Sequence, residues 1–533
     1  MTSSSGYEPH NTNNIQEFID LEKKDPEYKL YEEEQETDSL PINNPDEDNF
    51  EYTEEKKLPF FIRWSLKLNA ETKGIEPITD EEKTDNSVIG AASMWFSANM
   101  VLASFTLGVI GIPIFGLNFG ASVLTIIFFS ILGMLPVAYF SVFGAELGLR
   151  QMVLSRYLLG NITARIFCLV NCIACVGWGS VNTIASAQLL YMVNKPHSCP
   201  PWAGCLIICV GTIMVTFFGY KVIHTYEKWS WIPNFAVFLV IIARLRKLDT
   251  FENGPWGGGP TTAGGVLSFG GSIFGFAAGW TTYAADYTVY MPRTINKPKL
   301  FCSLVVGLLT PLIFTLVLGA AAAACIANSP KLTSLYNEYG NGGLIFGILA
   351  EDSLHGFGQF CCVILAMSTI ANNIPNMYSI ALGAQSFWEP LSKVPRPFWT
   401  IAGNGITIGI SIAAYYAFTN FMSSFMSAIA YYLGIYIAIS MSEHLIFRKN
   451  SFSNYNVDDW NRWDKLPVGY AGTFALIAGG FGVALGMSET YWNGQIGRLI
   501  GEYGGDIGFE MGFGWALVIY LIFRPLEIKY TGR

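Results

Sequence analysis

The sequence predicts an all-α, polytopic membrane protein of twelve transmembrane helices, and three observations carry that reading. Of its 533 residues 51% are hydrophobic and only 14% charged, with a mean hydropathy of +0.35. That balance is ordinary for a multi-span membrane protein and wrong for a soluble enzyme. Twelve apolar segments follow one another, at about 88–113, 119–142, 164–193, 202–220, 229–245, 265–291, 301–327, 357–386, 398–417, 422–447, 468–487 and 511–524. Most are long enough to cross a bilayer as a helix; the last is the shortest and invites extension upstream. The third observation is the placing of basic residues between them.

The net charge of −9 divides unevenly. Residues 1–86 carry 23 acids against 9 bases, and the remaining 447 carry 18 against 23. The first 86 residues are a separate acidic object, free of cysteine and lacking the apolar core of a signal peptide. They read as a mostly disordered cytoplasmic tail, with a short surface helix expected around 59–68. A membrane domain at 87–526 follows, divided into halves at about 87–250 and 260–420 and extra helices at about 421–526, with a C-terminal tail at 527–533. A cytoplasmic N-terminus puts the even-numbered loops inside. Arg150, Arg156 and Arg165 after the second segment agree, as do Arg293, Lys297 and Lys299 after the sixth and Arg448, Lys449, Arg462 and Lys465 after the tenth. Arg244, Arg246 and Lys247 after the fifth are the exception. Both termini are expected in the cytoplasm.

Segment one opens Gly-Ala-Ala-Ser-Met-Trp-Phe-Ser-Ala-Asn (90–99), small and polar, before Gly108, Gly111 and Pro113. Segment six holds Gly-Gly-Ser-Ile-Phe-Gly-Phe-Ala-Ala-Gly-Trp-Thr-Thr (270–282). These are the first spans of the two five-span halves, and broken helices at corresponding positions of inverted repeats point to a solute site at the bilayer midplane. The competing explanation is close packing of helices through small residues. Segment eight tips the balance. At ~100° per residue Asn372 and Asn376 lie about 40° apart, with Ser368, Thr369 and Ser379 near them on one stripe and Asn373 on its flank. Pro375 cannot donate to the carbonyl of Ala371, which loosens the backbone there. An uncharged polar stripe at this depth must face protein or a water-lined cavity, because lipid offers it no partners.

Segment three places Trp178 and Asn182 at i and i+4, on one face, and segment six supplies Trp280. Two indoles well inside their segments, with several carboxamides and no central charge, suit a flat, neutral, aromatic solute bearing donors and acceptors on its edge. Stacking is worth roughly 1–3 kcal/mol per base, and an Asn amide pairs bidentately with an adenine-type edge. Taken singly, each of these residues is better read as core packing; it is the set that points to a site. The acids near the spans are Asp286 and Glu146, candidates for carrying the coupled proton or for gating; Asp286 is close enough in sequence to Arg293 to form a gate ion pair, and Glu146 follows segment two. Ser368 and Thr369, with carbonyls of a broken first segment, are candidates for an uncharged cation site, against hydroxyls that bond back to their own helix. Cys168, Cys172 and Cys175 share a helix face without a His or carboxylate, so they read as packing residues and no metal site is expected. Neither a nucleophile–base constellation nor a Thr-Val-Gly-Tyr-Gly filter occurs, which argues against a membrane enzyme and an ion channel.

Three stretches together, Gly-Leu-Arg-Gln-Met-Val-Leu-Ser-Arg-Tyr (148–157), Ala-Ala-Gly-Trp-Thr-Thr-Tyr-Ala-Ala-Asp-Tyr-Thr-Val-Tyr (277–290) and Ala-Asn-Asn-Ile-Pro-Asn-Met-Tyr-Ser (371–379), resemble the fungal purine–cytosine permeases of the first nucleobase–cation symporter family. The resemblance covers about residues 60–530. It implies a leucine-transporter-like fold of two five-span inverted repeats plus two C-terminal helices. It also implies proton-coupled import of adenine, guanine, hypoxanthine and cytosine across the plasma membrane, with no cofactor beyond the co-transported proton and no nucleic-acid partner. By motif, Ser97, Trp178, Asn182, Trp280, Asn372, Pro375 and Asn376 line the nucleobase site, and Asn373 joins them from the stripe. The acidic tail takes from the resemblance only ubiquitin-ligase recognition and turnover at its lysines. The alternative is a symporter of the same fold for another neutral solute such as allantoin, a vitamin or an amino acid. An amino-acid carrier needs helix ends that hold a carboxylate, where this chain offers amides and indoles.

Overall fold

The first apolar segment forms two helices. In the computed structural model, which describes residues 74–194, 198–216 and 220–533, α1 (Val88–Asn99) and α2 (Leu102–Val109) meet at a 52° bend. The chain continues through α3 (Phe119–Leu147), α4 (Gln151–Leu159), α5 (Asn161–Val193), α6 (Pro201–Thr216), α7 (Tyr220–Trp229) and α8 (Trp231–Leu248). Then α9 (Gly259–Ala278) tightens into a 3-10 segment, Gly279–Tyr287, with a kink at Tyr283. The second half holds α10 (Lys297–Ala324), α11 (Pro330–Leu349), α12 (His355–Phe387) and α13 (Arg396–Ala414), followed by α14 (Phe418–Ser442), α15 (Tyr470–Gly486) and α16 (Gly508–Thr531). Among the described residues the only strands are β1 (Ser488–Glu489) and β2 (Trp492–Asn493), paired antiparallel.

Each of the twelve apolar segments coincides with helix. Helices α4, α7 and α11 come in addition, and their sequences are too short or too polar to announce themselves as spans. By length and hydropathy seven helical stretches among the described residues qualify to cross a membrane, eight when the bent pair is one span, so the count of twelve stays an expectation. Helices α5 and α12 pack along each other at the centre, with α1, α2 and the end of α9 against them; α15 and α16 lie outside, on α14. Exposed Leu124, Phe128, Ile173, Met214, Ile477 and Phe481 give the outer surface an apolar belt, as lipid contact requires.

Two expectations change, while the sixth span is interrupted within the stretch at 270–282, from Gly279 onward. A Cβ at Gly270 would run into the Phe129 ring, and one at Gly275 into the carbonyl of Met426; those glycines serve close packing against α3 and α14. Pro375 does not interrupt α12, which runs from His355 to Phe387. The acidic tail is shorter than 86 residues. Ile75, Ile78 and Lys83 are buried, Ile78 N–H donates to the Gly148 carbonyl at 2.9 Å, and Asp85 N–H to that of Tyr290 at 2.9 Å. The surface helix expected around 59–68 lies outside the described residues.

The last helix is fastened by a buried ion pair. Arg524 grips Glu443 with both Nε (2.9 Å) and Nη2 (3.0 Å), while Tyr520 donates to the same carboxylate at 3.0 Å. Arg448 also reaches Glu443, at 3.1 Å, so removing Arg524 takes the bidentate partner and leaves the carboxylate with one cation instead of two. Arg524→Ala should therefore destabilise the protein by about 1–3 kcal/mol, less than the loss of a sole partner would. Thermal unfolding in detergent, with Arg524→Lys as comparison, measures it.

Candidate functional site

The break between α1 and α2 frees backbone groups that lipid cannot satisfy. Side chains satisfy them. Asn372 Nδ2 donates to the carbonyl of Ala98 at 2.6 Å, and Asn234 Nδ2 to that of Met100 at 3.1 Å. Ser368 Oγ accepts from Leu102 N–H at 2.9 Å, at the first turn of α2, while donating to Leu365 O on its own helix. The polar stripe of α12 thus faces protein and mends a broken helix. Ser368 was a candidate cation ligand and is here a helix cap. Thr369 exchanges a 2.6 Å hydrogen bond with Ser186.

From this mend the amides reach inward. Asn182 Nδ2, on α5, donates to Asn372 Oδ1 at 2.7 Å and Asn373 Oδ1 at 2.8 Å. Both of its N–H bonds are spent, which leaves Asn182 Oδ1 and Asn373 Nδ2 buried with no partner. Asn376 is engaged at both ends: Tyr283 O–H donates to its Oδ1 at 2.7 Å, and its Nδ2 donates to Asn372 O at 2.8 Å. Pro375 is buried between them. Ser97 lies on α1 with its hydroxyl donating to the backbone carbonyl of Glu227 on α7.

The two indoles come together. Trp178 and Trp280 face one another at a centroid distance of 6.4 Å and an interplanar angle of 13°. Trp280 Nε1 donates to Asn99 Oδ1 at 3.3 Å, and Asn99 Nδ2 donates to Trp95 O at 2.9 Å, so the end of α1 orients that ring. Phe276 and Phe425 stand edge-on to Trp178. Trp178 Nε1 and Thr281 Oγ1 are buried without a partner. Near-parallel indoles on helices that also carry unpartnered amide and indole groups are a slot-like arrangement that suits a flat, neutral heterocycle.

The acids behave differently from the gate expected of them. Asp286 does not pair with Arg293. Its Oδ1 accepts from Gln151 N–H at 2.7 Å, at the start of α4, and Arg150 donates to its backbone carbonyl at 2.9 Å. A carboxylate at a helix N-terminus is the arrangement the helix dipole favours, and an oxygen bonded to a backbone N–H leaves no signal in the sequence. Arg293 pairs instead with Asp80 at 3.3 Å, and Glu146 with Lys297 at 2.5 Å. With the 2.9 Å bond from Ile78 to Gly148, these contacts hold residues 78–85 across the ends of α3 and the 279–287 segment. Lys83, whose Nζ donates to Ala145 O at 3.1 Å, has its ammonium disfavoured by burial, which lowers its pKa. No metal-binding cluster of His, Cys, Asp or Glu occurs among the described residues. Sequence reasoning missed Asn99, Asn234, Tyr283 and Glu227. The first and third sit inside stretches it had marked, whereas Asn234 and Glu227 gave no pattern.

Residues 77–494 match the family described as "Permease for cytosine/purines, uracil, thiamine, allantoin". The chain is 63% identical over 529 residues to the purine-cytosine permease FCY2 of Saccharomyces cerevisiae, covering 98% of this chain and 99% of that one. It is 46% identical over 472 residues to the purine-cytosine permease fcyB of Emericella nidulans, covering 88% and 91%. Among solved structures it is similar to Mhp1, a nucleobase-cation-symport-1 family transporter, in a closed conformation with bromovinylhydantoin bound. The TM-score is 0.64 at 14% identity, covering 86% of this chain and 95% of that one. That likeness shows a leucine-transporter-like fold.

The slot yields a direct test. A Cβ on Gly279 would lie 2.7 Å from the Trp178 indole, so Gly279→Ala should displace that ring. Binding of a planar heterocycle, followed by tryptophan fluorescence in detergent, is expected to weaken about tenfold, or ~1.4 kcal/mol. The unfolding temperature should move little.

Proposed function

The chain belongs to the family of permeases for cytosine and purines, uracil, thiamine and allantoin, and from that membership we propose that it imports nucleobases with protons across the plasma membrane. Adenine, guanine, hypoxanthine and cytosine are the proposed substrates. It is a multi-pass membrane transporter and not an enzyme. The observation that carries the substrate class is the indole pair, with ring centroids 6.4 Å apart and planes near parallel, on helices that also carry spare hydrogen-bonding groups.

A flat ring between two others needs a contact distance on each side, ~7 Å in all at optimal carbon separations. The centroid distance is an upper bound on the gap between the planes, so the indoles must part by at least about half an ångström when a base enters. Stacking accepts any base, because every base has a π-face. The amides supply choice, since a buried group left unpaired is penalised more heavily than lost apolar area. Asn182 Oδ1 and Asn373 Nδ2 are the spare acceptor and donor, a pairing that suits an adenine-type edge. Asn376 reaches a base only by releasing Tyr283. Ser97 and Asn372 hold α1 in place behind the slot, and the basic inner loops support cytoplasmic termini. A cavity of about 530 Å³, lined among others by Gln188, Tyr191, Tyr339 and Tyr415, lies at loops expected on the outer side and is the proposed entrance, although none of its lining residues belongs to the indole pair or the amides.

Uptake of labelled cytosine into proteoliposomes, with and without an inward proton gradient, tests the reading. Accumulation is expected only with the gradient, competed by adenine, guanine and hypoxanthine; competition by thiamine or allantoin instead would favour the alternative solutes. Within the site, Trp178→Ala and Trp280→Ala should each weaken adenine and cytosine alike, by roughly 1–3 kcal/mol. Asn182→Ala and Asn373→Ala should instead change the ratio between the two bases. Affinity measured alongside surface abundance checks both, because tryptophans that only pack would lower abundance and leave affinity unchanged.

A further inference from the structure

Helix α7 carries an acid that nothing in the site so far uses. Glu227 is fully buried, and neither oxygen of its carboxyl has a hydrogen-bond partner. Among the described residues it is the one buried carboxyl with both oxygens unbonded. Asp286 is engaged by Gln151 N–H, Glu146 by Lys297 and Glu443 by Arg524; Glu510, at the start of α16, also has a buried oxygen without a partner, but that helix lies outside the core, on α14 and α15. Among the described residues no cation approaches Glu227 from the elements packed on α7. Helices α1 and α6 contain no charged residue, α12 has only His355, at its far end, and the bases of α8 are at 244–247, also the far end. The titratable groups within electrostatic reach are the phenols of Tyr226, beside it on α7, and Tyr287, on the segment after α9. Lys228 turns to the Trp229 ring at 5.4 Å. The side chains of Lys221 and His224 lie outside the described residues.

An ionised carboxyl in this place would be an uncompensated buried charge, set in the last turn of a helix, where the dipole also opposes negative charge. Buried in this way the group is held as the neutral acid. Its position ties it to the solute site. The backbone carbonyl of Glu227 accepts from Ser97, and that of Lys228 from Ser93 at 3.1 Å, so the α1 half-helix that orients Trp280 is docked on the same turn of α7.

We propose that Glu227 is the group that carries the transported proton, an assignment that rests on the proton-coupled reading above. The carboxylate takes a proton from water on the outer side as the base binds, and the site closes over the neutral acid. When α1 parts from α7, water reaches the carboxyl, the O–H bond breaks, and the proton leaves to the cytoplasm with the base.

The test is gradient-driven accumulation and counterflow exchange of labelled cytosine in proteoliposomes, for the wild type, Glu227→Gln and Glu227→Asp. A one-unit inward pH gradient sustains about tenfold accumulation at one proton per base. Glu227→Gln should lose that accumulation entirely, retain exchange, and show an exchange rate that no longer varies with pH. Glu227→Asp, which keeps an acid, should still accumulate. Full accumulation by Glu227→Gln overturns the assignment, as does loss of exchange and accumulation together in both variants while cytosine still binds. If Glu227→Gln fails to reach the membrane, Glu227→Asp decides: a displaced pH profile for uptake supports the assignment and an unchanged one overturns it. A wild type indifferent to the gradient overturns the proton reading itself, and this assignment with it.

Discussion

A helix that breaks inside a bilayer must find partners for the backbone groups it frees, and the centre of this protein is arranged around that obligation. Asn372, Asn234 and Ser368 close the gap between α1 and α2. Because Asn372 is held against Ala98, its Oδ1 is fixed where Asn182 meets it, and Asn182 in turn fixes Asn373. Asn99, at the end of the same half-helix, sets the plane of Trp280. Slot geometry and helix repair are one network. A change in the bend of α1 is felt at the indole and at the amides together.

The network also separates two tasks. In the proposed mode of binding, aromatic faces give affinity without preference and a few spare polar atoms give preference with little area. Coupling falls to neither. The inner half-helix docks on α7 through Ser93 and Ser97, so occupancy of the slot and the contact between those two helices are mechanically joined.

Much of this was legible in the chain. The amide stripe shows because a helix repeats every 3.6 residues, and Trp178 with Asn182 falls on one face for the same reason. What stayed hidden follows from kinds of contact that leave no periodic trace. The stretch at 270–282 announced a break without placing it, since small residues serve breaks and close packing alike and only the neighbouring Phe129 and Met426 show that the glycines at 270–275 do the latter. Asp286 drew attention to Arg293, yet its partner is a backbone N–H that every residue possesses. Helix α7 is polar enough to read as a loop, which concealed Glu227 in it. Ile75 and Ile78 were outvoted by the acids around them, although two buried isoleucines suffice to dock a segment.

The division between engaged and spare atoms has a consequence for descent. Asn372 has its Nδ2 committed to the broken helix and its Oδ1 to Asn182, so altering it disturbs the scaffold before it alters recognition. Asn182 Oδ1, Asn373 Nδ2 and Trp178 Nε1 have no such duty. Lineages of this protein that drift toward new solutes have an inexpensive route through those three groups, and a barred one through the residue that mends α1.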